Sequence, residues 1–115
     1  MMKKNRQKLI WHTARVLYRS DISSLRPRRM HTFEEVYFLV SGFSLPEALK
    51  KARNLAKRKE HSYKNASGER VSWKLVRFIG LQEMIDQKLE DGAEVHHQFF
   101  TGLKTRASRW QTVNR

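Results

Sequence analysis

The sequence predicts an α+β domain, a small antiparallel sheet of about four to five strands packed on one main helix, with basic N- and C-terminal tails. Three observations carry this. Val36, Phe38 and Val40 alternate with Glu35, Tyr37 and Leu39, the period of a strand with one wholly apolar face. Ala48, Leu49, Ala52, Leu55 and Ala56 recur at the spacing of one buried helical stripe. Turn-forming residues separate these segments. At 115 residues and without internal repeats, the chain is expected to form about one domain. Residues 10–100 would be the folded unit, 1–9 a basic arm and 101–115 a basic tail.

Taken in order, Ile10 to Tyr18 is rich in β-branched and aromatic residues, lacks a helix cap, and reads as a first strand. Ser20 to His31 reads as a loop made basic by Arg26, Arg28 and Arg29. Thr32 to Ser41 is the clearest strand and ends at Gly42. Ser44-Leu45-Pro46-Glu47 is a capping box: the Ser44 hydroxyl can accept from an orphan amide while Glu47 reaches back. The helix should run to about residue 60, and its small alanines predict a close approach to the sheet. Ser62-Tyr63-Lys64 is a short candidate strand, followed by a turn at Asn65 to Gly68. Glu69 to Ile79 reads as a long strand with Val71, Trp73, Leu75 and Ile79 on one face, and Lys74, Val76 and Phe78 on the other. Leu81 to Leu89 fits either an edge strand or a helical turn. Asp91-Gly92 predicts a tight turn before a last strand, Ala93 to Phe100, with Val95 and Phe99 on one face.

The net charge is +13 with 24 Lys and Arg against 11 Asp and Glu, a balance that speaks to polyanionic partners and steering rather than to fold. The absence of cysteine excludes disulfides, thiolate metal sites and a cysteine nucleophile, and fits a reducing compartment. The basic start is not followed by an apolar run of signal-peptide length, and no segment is long and apolar enough for a membrane helix. A cytoplasmic protein is the expectation.

The chain resembles the bacterial family known as domain of unknown function 4288. The resemblance runs through Trp11 and its strand, Glu34 to Val40, and the helix start Pro46-Glu47-Ala48-Leu49. It continues through Tyr63 to Trp73, then Glu90 to Val95, and ends at Phe99-Phe100. It covers about residues 10–100 and implies a compact α+β domain. It implies no activity, and the arginine loop and both basic ends depart from its pattern.

The candidate sites follow from charge. Lys50, Lys51, Arg53, Lys57 and Arg58 would line the exposed side of the helix. The Arg26, Arg28 and Arg29 loop and the tail residues Lys104, Arg106, Arg109 and Trp110 would extend that surface. Phosphate contacts of this kind position a protein without reading sequence and weaken with salt. Trp11 and Trp73 read as core or core rim; on an open sheet face with Tyr18 or Tyr37 they would instead stack on unpaired bases. Glu34 or Glu35 is expected to pair with Arg15 or Arg19 across strands.

Adjacent His96 and His97 would point to opposite faces of a strand and so not chelate one ion. Glu83, Asp86, Glu90, Asp91 and Glu94 form an acidic run that reads first as a solvated, locally paired turn. With His96 or His97 it would serve a low-ranking hydrolase-type alternative. No catalytic residue, metal or cofactor is predicted. The leading expectation is an accessory protein that binds nucleic acid or a nucleoprotein partner. The alternative is a protein–protein module, such as an inhibitor, immunity or antitoxin-like factor, capping an acidic partner. Self-association between the acidic run and a basic face is a variant.

Overall fold

The strand that opens the domain becomes the centre of its sheet. The computed structural model describes residues 8–22 and 31–102. Its elements are β1 (Ile10–Ile22), β2 (Phe33–Gly42), α1 (Leu45–Arg58), β3 (His61–Lys64) and β4 (Arg70–Glu83). The sheet order is β2-β1-β4-β3, every neighbour antiparallel, with α1 on one face. This is the predicted α+β arrangement. The arginine loop residues Arg26, Arg28 and Arg29, and Lys104, Arg106, Arg109 and Trp110, lie outside the described residues.

The helix begins as its sequence dictates. Ser44 is the N-cap in extended geometry, its hydroxyl accepting from the Glu47 amide at 3.3 Å. Glu47 reaches one residue further back than a standard capping box and accepts from the Phe43 amide at 2.6 Å. Ala48, Ala52 and Ala56 are fully buried, one turn apart, and bring the helix axis close to β1 and β2. Ala52 packs with Ala14 and Val40, and Ala56 with Val16 and Tyr18. The buried Tyr18 hydroxyl donates to the Ala56 carbonyl at 2.7 Å, so the polar tip of a core aromatic is satisfied.

Two predictions about strands need correction. The faces of β4 do not alternate to its end, because the β1–β4 register shifts twice. Val16 pairs with Phe78 after Arg15 pairs with Gly80, and Tyr18 pairs with Leu75 after Leu17 pairs with Arg77. Val76 and Ile79 are the extra residues of two bulges. Phe78 therefore joins Trp73 and Leu75 against the core, while Ile79 leaves that face.

Ala93 to Phe100 forms no strand. This segment crosses the sheet face away from the helix, where side chains and not a neighbouring strand meet its backbone. The Gln82 carboxamide donates to the His97 carbonyl and accepts from its amide, both at 3.1 Å. Thr13 Oγ1 donates to the Val95 carbonyl. Gln87 clamps the Trp11 backbone in the same two-point way, at 2.7 and 3.1 Å.

The predicted turns hold. Gly68 and Gly92 both have positive φ, at 78° and 91°. The ambiguous 81–89 stretch divides: β4 runs on to Glu83, and Met84 is then buried.

Candidate functional site

The helix cations do not act as one free stripe. Lys50, Lys51 and Arg58 are exposed and have no ion pair among the described residues. Arg53, by contrast, lies over the Phe78 ring at 4.7 Å, and Lys57 pairs with Glu60 at 3.3 Å. Both cover the seam between helix and sheet, and long basic side chains suit this because their stems are apolar.

A second cationic surface forms where sequence reading did not look. On the face away from the helix, the register sets Arg15 and Arg19 of β1 beside Lys74 and Arg77 of β4, and Lys64 of β3 beside Arg70 of β4. The β3 and β4 positions of this face (Ser62, Lys64, Arg70, Ser72, Lys74, Arg77, Gly80 and Gln82) include no acid. The acids that β1 and β2 place on this face are engaged: Glu35 with Arg15 at 2.7 Å, and Asp21 with both Arg19 and His31 at 3.3 Å. The Arg15–Glu35 pair is the predicted cross-strand one. The bulge at Val76 is what returns Arg77 to this face. A period-2 reading carried straight through from Leu75 would have put Arg77 in the core.

At the Glu83 end of β4 the crossing segment and the sheet enclose an open cleft of about 660 Å³, lined by Thr13, Arg15, Gly80, Gln82, His97 and Phe99 among others. The Phe99 side of it is apolar, with that residue 90% exposed and its ring edge-on to His97 at 5.4 Å. Arg15 stands over the Tyr37 ring at 5.5 Å, and His96 meets the same ring at 5.2 Å. Trp73 sits at the core rim as expected, its indole N–H directed to the Tyr63 hydroxyl at 3.4 Å. Tyr18 is buried and unavailable for stacking.

The two histidines lie on no strand, so the predicted opposite-face geometry does not apply; both line the cleft, with different neighbours. His97 pairs with Glu94 at 3.0 Å, while both ring nitrogens of His96 are buried without a hydrogen-bond partner among the described residues. Burial, then the charges of Arg15 and His97, push the His96 pKa down, and Glu35 opposes them weakly. A histidine held neutral in the fold takes up a proton more readily when unfolded, so its contribution is lost as pH falls through the unfolded value near about 6.5. The stability advantage of His96→Phe over wild type, read from urea titrations, is therefore expected to grow below that pH. A constant difference from neutral to acid pH would count against this environment. Arg15, Glu35, Tyr37 and His97 are the titratable groups facing the ring.

The acidic run is used locally. Asp86 accepts from the Glu94 amide at 2.7 Å and Glu90 pairs with Lys88 at 3.4 Å. Glu83 points to a different recess, beside His12 and Phe43. Both histidines line the cleft and none of these acids does, although Glu94 pairs with His97. Among the described residues, no three histidine or carboxylate side chains meet in a cluster that would hold a metal.

Fold and site together define, among the described residues, a one-helix, four-stranded α+β arrangement whose second sheet face is cationic and carries a cleft. The chain belongs to the DUF4288 family, described as a domain of unknown function, whose model matches residues 11–97. Among curated proteins and among solved structures, nothing matches the chain.

Proposed function

We propose that this protein is a small basic accessory factor that binds nucleic acid, alone or within a nucleoprotein, mainly through backbone phosphates. The observation that supports this reading is the excess of exposed cations on the helix and on the sheet face away from it. Lys50, Lys51 and Arg58 lie on the helix, and Lys64, Arg70, Lys74 and Arg77 on the sheet. A net charge of +13 makes neutralisation by an external polyanion favourable, and no zinc-finger or helix-turn-helix pattern adds base-specific reading.

Anisotropy titrations of labelled oligonucleotides between about 50 and about 200 mM salt test it. Tight binding at the lower salt that weakens steeply at the higher is expected. Absence of binding to every single-stranded and duplex probe at low salt ends the proposal. The alternative, a module that caps an acidic protein, draws on Phe33, Phe43 and Leu45, which are 55%, 49% and 59% exposed at the two ends of β2. A stoichiometric protein complex that survives nuclease digestion would favour that alternative.

A further inference from the structure

We infer that the nucleic acid is single-stranded and lies on the second face of the sheet, its backbone along Arg70, Lys74 and Arg77 and one base seated over Gly80 beside Phe99. This inference rests on the nucleic-acid reading above and gives it a site and a ligand class.

The spacing comes from the ladder. Gly80, Arg77 and Lys74 oppose Arg15, Leu17 and Arg19, successive positions on one face of β1. Same-face positions of a strand are about 7 Å apart, of the same order as successive phosphates in an extended single strand. Lys64, opposite Arg70, widens the far end of this row. A single cationic row leading into a cleft suits one strand whose bases are free to turn inward. A duplex would present paired bases that cannot enter.

Gly80 is the most telling residue. Glycine at a strand interior weakens the strand and often marks a bulge or the close approach of another group, and Gly80 does adjoin the Ile79 bulge. Gly80 is not among the glycines with positive φ, and a Cβ built on it meets nothing within 4 Å. Within the fold, neither backbone angle nor crowding calls for glycine there. What the missing side chain does is leave the floor of the cleft open. The cleft, at about 660 Å³, lies within the range that holds small planar ligands. Phe99, 90% exposed on its rim, offers a ring on which a base can stack, and stacking tolerates any base. Thr13 and Gln82 spend their polar groups on the crossing segment. That leaves recognition to shape, stacking and charge, without base specificity.

Four variants test this in the full chain, each checked by thermal melting against wild type. Gly80→Leu places a side chain in the cleft, starting from a Cβ position with nothing within 4 Å, and is expected to weaken single-strand binding by about tenfold or more without lowering Tm. Phe99→Ala should lose about tenfold. Lys74→Glu with Arg77→Glu should lower the slope of log K against log salt by about two. Lys50→Glu with Lys51→Glu and Arg58→Glu, on the helix surface that the nucleic-acid reading also invokes, should cost single-strand affinity, but less than the Lys74 and Arg77 pair does. The probes are a single-stranded DNA, a single-stranded RNA of the same sequence and the matching duplex; preference for either single strand over duplex supports the inference, and the two single strands distinguish deoxyribose from ribose ligands. It is overturned if the duplex binds more tightly, if Gly80→Leu and Phe99→Ala bind like wild type, or if only the helix variant loses binding. In those cases nucleic-acid binding itself would stand. Failure of the wild-type protein to bind any probe would remove both readings together.

Discussion

Gly42→Ala is expected to destabilise the protein by about 1–3 kcal/mol, although it adds a single methyl group. A Cβ at this position would lie 2.9 Å from the Ala48 amide nitrogen and 3.0 Å from its Cα. Those atoms belong to helix backbone and cannot rotate away. Only Phe43 and Ser44 separate β2 from α1, so the helix start has no slack with which to retreat. Shifting it would also disturb the Ser44 and Glu47 capping bonds and the Ala48–Ala52–Ala56 seam. Gly80→Ala is the matched control: the same change is made in a strand, into open space. It should be neutral or stabilising, since replacing glycine reduces the freedom of the unfolded chain. Urea titrations of the two variants decide the matter. At about 4 °C or more per kcal/mol for a domain of this size, the melting temperatures should also separate clearly. Equal stabilities for the two variants would show that close approach is not why β2 ends in glycine.

The helix shows why some of this fold can be read from residues and some cannot. Ser44, Glu47 and the alanine spacing act within one or two turns, so local chemistry specifies the cap, the face and even the close approach to the sheet. Alternation in β2 is equally local. The β4 bulges are different: Gly80 signals an irregularity near it, but nothing local says which residues are extra, and Val76 and Ile79 become so only when β4 is matched to β1. Their consequence reaches the candidate site, since they bring Phe78 inward and leave Arg77 on the cationic face.

The same holds for Ala93 to Phe100. Its apolar and aromatic residues read as a strand, but a strand needs a partner backbone, and this segment lies across the sheet face where Thr13 and Gln82 side chains meet it instead. Gln82 and Gln87 could not be singled out as backbone clamps, because a carboxamide becomes a stand-in for a peptide group only once a distant chain lies beside it. The helix cations were legible as residues. The diversion of Arg53 to Phe78 and of Lys57 to Glu60 was not, since both partners arrive from packing. The sheet-face row escaped because its members come from three strands whose register had first to be known.

Glu60→Ala is expected to cost about 2–3 kcal/mol at neutral pH, a large effect for a carboxylate just beyond the end of a helix. Its oxygen accepts from the Leu75 amide at 2.8 Å, beside the first β4 bulge. A bulge disrupts the ladder locally, and here a side chain from outside the sheet meets a strand amide. The Glu60 side chain is only 17% exposed, and Lys57 stands 3.3 Å away. The Leu75 amide, acting chiefly, and the ammonium groups of Lys57 and Lys74 hold its pKa below the usual carboxylate range against the opposing effect of burial. A carboxylate with a lowered folded pKa contributes its stability above the unfolded value. That contribution disappears as pH falls through the folded one. Glu60→Gln keeps an acceptor for Leu75 but not the charge, so it should lose about 1 kcal/mol at neutral pH. Its deficit should shrink in acid below about pH 4.5, as wild type also becomes neutral. Urea titrations of wild type, Glu60→Gln and Glu60→Ala at neutral and acid pH measure both quantities. A Glu60→Gln deficit that stays constant into acid would show that the carboxylate charge does not stabilise the bulge. Equal losses for both variants at neutral pH would show that the amide gains nothing from a neutral acceptor.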